Sequence, residues 1–229
     1  MARLAPDTTQ RSKTVIEAIL FDLDGLMVDS EPHSIASWQA VLAKRGVQFD
    51  QLALDWILGQ RLNETAEYAI RSFHLPDRPE DLACEKSDYQ IAHLNGSVTA
   101  MPGVIDLLDW IDRSGLKKAV ASSGLRRYID AVLSAVNLRE RFNVIISADD
   151  VVNGKPAPDV FLAAANALHV APENCLVLED APLGVQAAKA AGMTCWAVPN
   201  AHSRALDLSL ADRILSSLSE VKTSLTSDE

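Results

Sequence analysis

Short apolar runs at 15–21, 118–121, 144–147, 176–178 and 194–198 alternate with longer stretches whose apolar residues recur every three or four positions. The runs are too short for independent helices and suit strands buried on both faces. The stretches at 104–114, 126–136, 158–168 and 183–191 read as helices. In the first of them Val104, Leu107, Leu108 and Ile111 fall on one face. Strands alternating with helices predict an α/β fold, a parallel sheet covered on both sides. Gly115 and Gly192 directly follow their helices, where a left-handed cap is cheap for glycine. The 183–191 helix is rich in alanine, as a close approach to a sheet requires, and residues 212–225 add a further strand and helix.

Residues 31–98 break the rhythm. They read as three consecutive helices, at 34–44, 63–73 and 80–94, with no strand pattern between them. The linkers at 29–32 and 100–103 carry Pro32 and Met101-Pro102-Gly103. A helical block between the first two strands of a sheet is an inserted all-helical cap, which leaves 1–30 and 99–229 as the core and 1–13 as a loose polar tail. The chain shows no internal repeat and no low-complexity segment.

Its 229 residues are 48% hydrophobic and 23% charged, proportions of a globular protein that buries a sizeable core without staples. A formal net charge of -10 argues against nucleic acid as a partner, because phosphate backbones select basic surfaces. It leaves small phosphorylated metabolites open, since a local pocket can be positive on an acidic protein. No apolar run approaches the roughly 20 residues that span a bilayer, and the first residues lack the apolar core of a signal peptide. Cys84, Cys175 and Cys195 have no metal-binding spacing and read as buried, reduced thiols. The expectation is a cytoplasmic monomer with no membrane partner.

Chemistry gathers at the strand ends, where open parallel sheets bind ligands. The first strand ends in Phe21-Asp22-Leu23-Asp24-Gly25 and the second in Ala121-Ser122-Ser123-Gly124. The loop after the third carries Gly154-Lys155-Pro156, and the fourth ends in Glu179-Asp180. Four carboxylates on one edge repel one another, and a divalent cation resolves that repulsion. Oxygen ligands alone select a hard ion such as Mg²⁺. Ser123 and Gly124 are expected to open a helix whose free N–H groups favour anions.

These four motifs, in this order, resemble the haloacid dehalogenase superfamily. Asp29-Ser30-Glu31-Pro32 and Met101-Pro102-Gly103 resemble its branch with a small helical cap, which holds β-phosphoglucomutase and sugar-phosphate phosphatases. The resemblance spans about residues 15–215 and implies a Rossmann-like core, Mg²⁺ as cofactor and phosphoryl transfer through a phosphoaspartate. On it, Asp22 is the nucleophile and Asp24 the general acid and base, with its backbone carbonyl on the metal. Asp180 is a metal ligand, and Glu179 either a ligand or an outer partner. Ser122, with Ser123 and Gly124, holds phosphate oxygens, and Lys155 screens the nucleophile from the phosphate. The second aspartate of the pair favours phosphate esters over carbon–halogen bonds.

Two outcomes stay open within the branch, a phosphatase for a small metabolite such as a sugar phosphate and a phosphoglucomutase-like isomerase; a receiver-like signalling module fits less of the chain. Where the mutase places a histidine after the hinge, this chain has Ser34, with His33 one residue early. One residue turns a helical side chain by about 100°. The segment Gly59-Gln60-Arg61 resembles the hexose-phosphate phosphatase pattern and makes Arg61 the cap candidate for substrate contact. Arg126 is the corresponding candidate in the core. Asp149 and Asp150 read as solvated loop acids with the metal site within possible reach, Asp159 as a helix-start partner, and Trp38, Trp56 and Trp110 as apolar-face residues.

Overall fold

The computed structural model of the chain describes residues 15–48, 62–94 and 96–227. In order these form β1 (Ala18–Phe21), β2 (Val28–Asp29), α1 (Glu31–Ala43), α2 (Leu62–Phe73), α3 (Pro79–Ala92), β3 (Thr99–Ala100), α4 (Val104–Ser114), β4 (Lys117–Ala121), α5 (Arg126–Ala135), β5 (Ile145–Ile146), α6 (Asp159–Leu168), β6 (Cys175–Glu179), α7 (Pro182–Ala190), β7 (Thr194–Ala197), β8 (Arg213–Ile214) and α8 (Ser219–Ser227). One six-stranded sheet has the order β5–β4–β1–β6–β7–β8, with every pairing parallel. The α/β core is therefore as the alternating pattern predicts.

The strand period of two divides the core into two layers. Ile19, Phe21, Val120, Leu176 and Leu178 face α4, α5 and α8. Ala18, Leu20, Ala119, Ala121 and Val177 face α6 and α7. Alanines at 164, 165, 187 and 188 complete that second layer, so its helices lie close to the sheet. Gly184 of α7 marks the limit: a β-carbon there would overlap the Glu179 carboxylate. Phe21 is fully buried at the centre; truncation to alanine would cost about 3–5 kcal/mol.

Between β2 and β3 the described residues form three helices around their own apolar cluster of Trp38, Val41, Leu42, Ala66, Ala69, Leu82 and Ala83. Helix α3 packs on α1 and α2 and, across to the sheet side, on α5. Helices α1, α3 and α7 begin a little before the positions that the apolar spacing marks, because Pro32, Pro79 and Pro182 occupy their first turns. Proline belongs there, since its missing N–H has no intrahelical partner to lose. The two linkers hold a feature too short for any pattern to reveal. Strands β2 and β3 pair antiparallel, Val28 with Ala100 and Asp29 with Thr99.

Candidate active site

Asp22 follows β1 directly, and its amide still donates to the Leu178 carbonyl at 3.0 Å. The nucleophile candidate is thus fixed by the sheet ladder and not by a free loop. Lys155 lies against it, donating to Asp22 Oδ1 at 2.5 Å and to Glu179 Oε1 at 2.6 Å, with all three side chains buried. The other Glu179 oxygen accepts the amides of Asp180 at 2.8 Å and Ala181 at 3.0 Å. Glu179 therefore anchors the lysine and shapes the turn after β6.

Asp22, Glu179 and Asp180 each offer a carboxylate oxygen within 4.8 Å of the others. Burial pushes Asp22 up to about 8, against the pull of Lys155. Burial, followed by Glu179 and Asp22, raises Asp180 as well. Burial opposes the charge on Lys155, but Asp22 and Glu179 outweigh it and hold the lysine above its ordinary range. Three buried carboxyl groups on one cavity make an all-oxygen donor set, and such a set fits Mg²⁺, whose charge would favour their ionised forms. Asn200 orients Asp180, its Nδ2 donating to Asp180 Oδ2 at 2.8 Å.

Asp24 lies two residues beyond Asp22 and opens on the same cavity. Its Oδ1 accepts two hydroxyl protons, from Ser30 at 2.6 Å and from Tyr128 at 2.6 Å. Burial and the Asp24 charge hold the Tyr128 hydroxyl far above its usual range, so it is an obligate donor. Helix α3 closes the cavity from the cap. Lys86 donates to Ser34 Oγ at 2.9 Å and to Gln90 Oε1 at 2.6 Å, and burial lowers it to about 8. Glu31 lines the same wall and is raised to about 7, chiefly by burial.

Asp22, Asp24, Ser122, Ser123, Gly124, Lys155, Glu179 and Asp180 all line this one cavity. Helix α5 starts at Arg126, as the apolar spacing marks, so Ser123 and Gly124 precede the helix and do not open it, and the amides at its approach are partly engaged. Gly124 donates to Ser122 Oγ at 3.0 Å, and the Arg126 amide to Asp149 at 2.8 Å. The expectation for the Arg126 side chain needs correction: its guanidinium turns away from the cavity to Asp150 and the Ile145 carbonyl. The same contacts explain Asp149 and Asp150, which serve this loop and not the carboxylate cluster. Asp150 also accepts from the Ser147 amide and hydroxyl. Asp159 accepts from Asn153 at the start of α6. His33 is buried with Nε2 at the Gln90 carbonyl, 2.7 Å away, while Ser34 faces the cavity. Arg61 and Trp56 lie outside the described residues. Cys175 and Cys195 are free and buried, Cys84 free and exposed.

Residues 19–198 match the haloacid dehalogenase-like hydrolase family. The chain belongs to that family. It is 33% identical to validoxylamine A 7'-phosphate phosphatase of Streptomyces hygroscopicus subsp. limoneus, over 89% of this chain and 94% of that protein. It is 35% identical to fructose-1-phosphate phosphatase YqaB of Escherichia coli, over 76% and 92%. CbbY from Rhodobacter sphaeroides, solved with phosphate, superimposes with a TM-score of 0.83 at 30% identity, over 90% and 96% of the two chains. The β-phosphoglucomutase of Clostridium difficile superimposes at 0.81 with 25% identity, over 93% and 96%. This haloacid dehalogenase-like hydrolase is an enzyme acting on phosphate esters, in the sugar-phosphate phosphatase branch of the family.

Motifs in the sequence identify the strand-end residues and include Ser30 only as part of the linker at 29–32, and they do not reveal Lys86, Gln90, Tyr128 and Asn200. Lys86 and Gln90 stand one helical turn apart on α3, a spacing that signals a shared face and nothing about what it meets.

Proposed function

We propose that the chain is a Mg²⁺-dependent phosphatase that hydrolyses a small phosphorylated metabolite, a sugar phosphate, through a phosphoaspartate on Asp22. The observation that carries this reading is the pairing of two aspartates with opposite surroundings on one cavity. Asp22 is held by the Lys155 ammonium, and Asp24 by two neutral hydroxyls. The first arrangement favours a carboxylate that attacks, the second a carboxyl that exchanges a proton.

Asp22 attacks phosphorus as the ester P–O bond breaks, and Asp24 gives its proton to the departing alkoxide. Water then attacks the phosphoaspartate, Asp24 takes its proton, and inorganic phosphate leaves with Asp22 restored. Asp22, Asp180 and the Asp24 backbone carbonyl would hold Mg²⁺, with Glu179 behind them. The ion, when bound, supplies charge neutralisation for the phosphoryl oxygens. Ser122 and the amides near it bind those oxygens, and Lys155 keeps the nucleophile and the phosphate from repelling each other. The cap wall supports a hydroxylated leaving group, since Ser34, Thr65, Lys86 and Ser87 all line the cavity there. The expected monomer, located in the cytoplasm, remains part of this proposal; among the described residues no helix is long and apolar enough to cross a membrane.

The test is phosphate release from a panel of sugar and polyol phosphates with Mg²⁺, coupled to rapid-quench trapping of acyl phosphate on Asp22. Absence of any trapped acyl phosphate during turnover would overturn the mechanism.

A further inference from the structure

Four side chains from the cap and the core form one hydrogen-bonded chain that ends on Asp24. Lys86 has only donors, so the Gln90 oxygen must face it, at 2.6 Å. That orientation leaves Gln90 Nε2 to point the other way, where it donates to the Tyr128 hydroxyl at 3.2 Å. With its oxygen accepting from Gln90, Tyr128 directs its proton onto Asp24 Oδ1 at 2.6 Å. The donor direction is therefore fixed at every link, from the cap ammonium to the core carboxyl. Ser30 donates to the same Oδ1 at 2.6 Å.

The chain is built into both halves. The Gln90 carbonyl is held by His33 of α1, and Tyr128 is buried on α5. A β-carbon on Gly124 would meet the Tyr128 ring at 3.0 Å, so the glycine next to Ser123 leaves the ring its place. An exposed ion pair between Arg127 and Asp88 joins the same two helices nearby.

We infer that Tyr128 is a positioning residue that orients Asp24 with Oδ2 toward the leaving group, and that Gln90 makes this orientation depend on the seated cap. The inference rests on Asp24 being the acid–base residue. When α3 moves off α5, Gln90 withdraws, Tyr128 loses the donor that aims its proton, and Asp24 keeps only Ser30. A substrate that seats the cap thereby completes the acid that its own leaving group needs.

The experiment is a leaving-group series, from p-nitrophenyl phosphate to phenyl phosphate, on wild type, Tyr128→Phe, Gln90→Met and the double variant. An acid catalyst matters little for nitrophenolate and greatly for phenolate. Tyr128→Phe is expected to change the first-turnover nitrophenolate burst by less than about two-fold. It should lower the first-turnover release of phenolate from phenyl phosphate by about ten-fold with KM little changed. Gln90→Met should steepen the dependence in the same direction, and the double variant should be no worse than Tyr128→Phe alone, because Gln90 acts through the tyrosine. An equal loss of first-turnover rate on every ester, a change in KM alone, or effects that multiply in the double variant would overturn the inference. Gln90→Met keeps the test decisive if Tyr128→Phe folds poorly. Asp24→Asn serves as the reference: if it leaves the leaving-group dependence unchanged, the acid–base reading itself fails, whatever Tyr128 does.

Discussion

Asn200 joins Asp180 to Gly25, donating to Asp180 Oδ2 at 2.8 Å and to the Gly25 carbonyl at 3.0 Å. Its own oxygen accepts the amides of His202 and Ser203, so the amide cannot flip without losing partners. Three loops are thus fixed around one carboxylate. Gly25 has φ of +80°, and a β-carbon there would lie 2.6 Å from Asn200 Nδ2 and 2.7 Å from Asp180 Oδ2. Asn200→Ala should weaken Mg²⁺ binding by about ten-fold, the scale of an outer-shell partner. Asp180→Ala should weaken it far more, and Glu179→Ala less than Asp180→Ala. Titration calorimetry with Mg²⁺ alone reads all three, and the reverse order for 179 and 180 would reassign the ligand.

Asp22→Asn preserves an oxygen acceptor for Lys155 and the backbone N–H hydrogen bond to the Leu178 carbonyl, so the fold should survive. Turnover should fall by about 10⁴-fold or more, as expected for loss of a covalent nucleophile. Retention of a few per cent of activity in a preparation free of wild type would refute the assignment.

Proton binding ties stability to the metal. Asp22 is raised from an ordinary 3.8 to about 8, and Asp180 is raised with it. Between those values the folded state binds more protons than the unfolded chain, so the metal-free protein loses stability as pH rises from about 4 to about 8. A divalent cation takes over the role of those protons. The Mg²⁺-induced rise in Tm should therefore be larger at pH 8 than at pH 5, and EDTA should abolish both that rise and turnover. An equal rise at the two pH values would contradict a buried carboxylate site.

Ser34 accepts a hydrogen bond from Lys86 and cannot do acid–base work of its own. With His33 turned to the Gln90 carbonyl, no histidine among the described residues lines the cavity to favour sugar over water. Stoichiometric inorganic phosphate is expected from a hexose 6-phosphate, with negligible interconversion of glucose 1- and 6-phosphates. Isomerisation of β-glucose 1-phosphate faster than phosphate release would move the chain to the mutase reading.

The strand-end residues are legible in sequence because a parallel sheet fixes where each strand stops, and short apolar runs mark those stops. Asp22, Ser122, Lys155 and Asp180 need no knowledge of the cap to be brought together. Tyr128 and Gln90 do. Each sits in a helix whose spacing predicts only burial, and their meeting depends on how α3 rests on α5. Arg126 fails as a candidate for a related reason: its neighbours in sequence place it near the phosphate loop, but Asp150, 24 residues on, draws the guanidinium away. Strands β2 and β3 are two residues each, below the length at which alternation carries information.

That small antiparallel pair governs how the insertion can move. The two passages between core and cap are not separate tethers, since Val28 with Ala100 and Asp29 with Thr99 bond them side by side, and Met101 N–H adds a bond to the Met27 carbonyl at 2.8 Å. A bonded ribbon resists sliding of one strand past the other but bends and twists readily as a unit. Any displacement of the helices would have to be carried by this ribbon, which runs directly into Ser30, a partner of Asp24. A substitution that unpairs the ribbon, such as proline at Thr99, would give the insertion additional directions of travel, and successive closures would no longer bring Gln90 back to the same place.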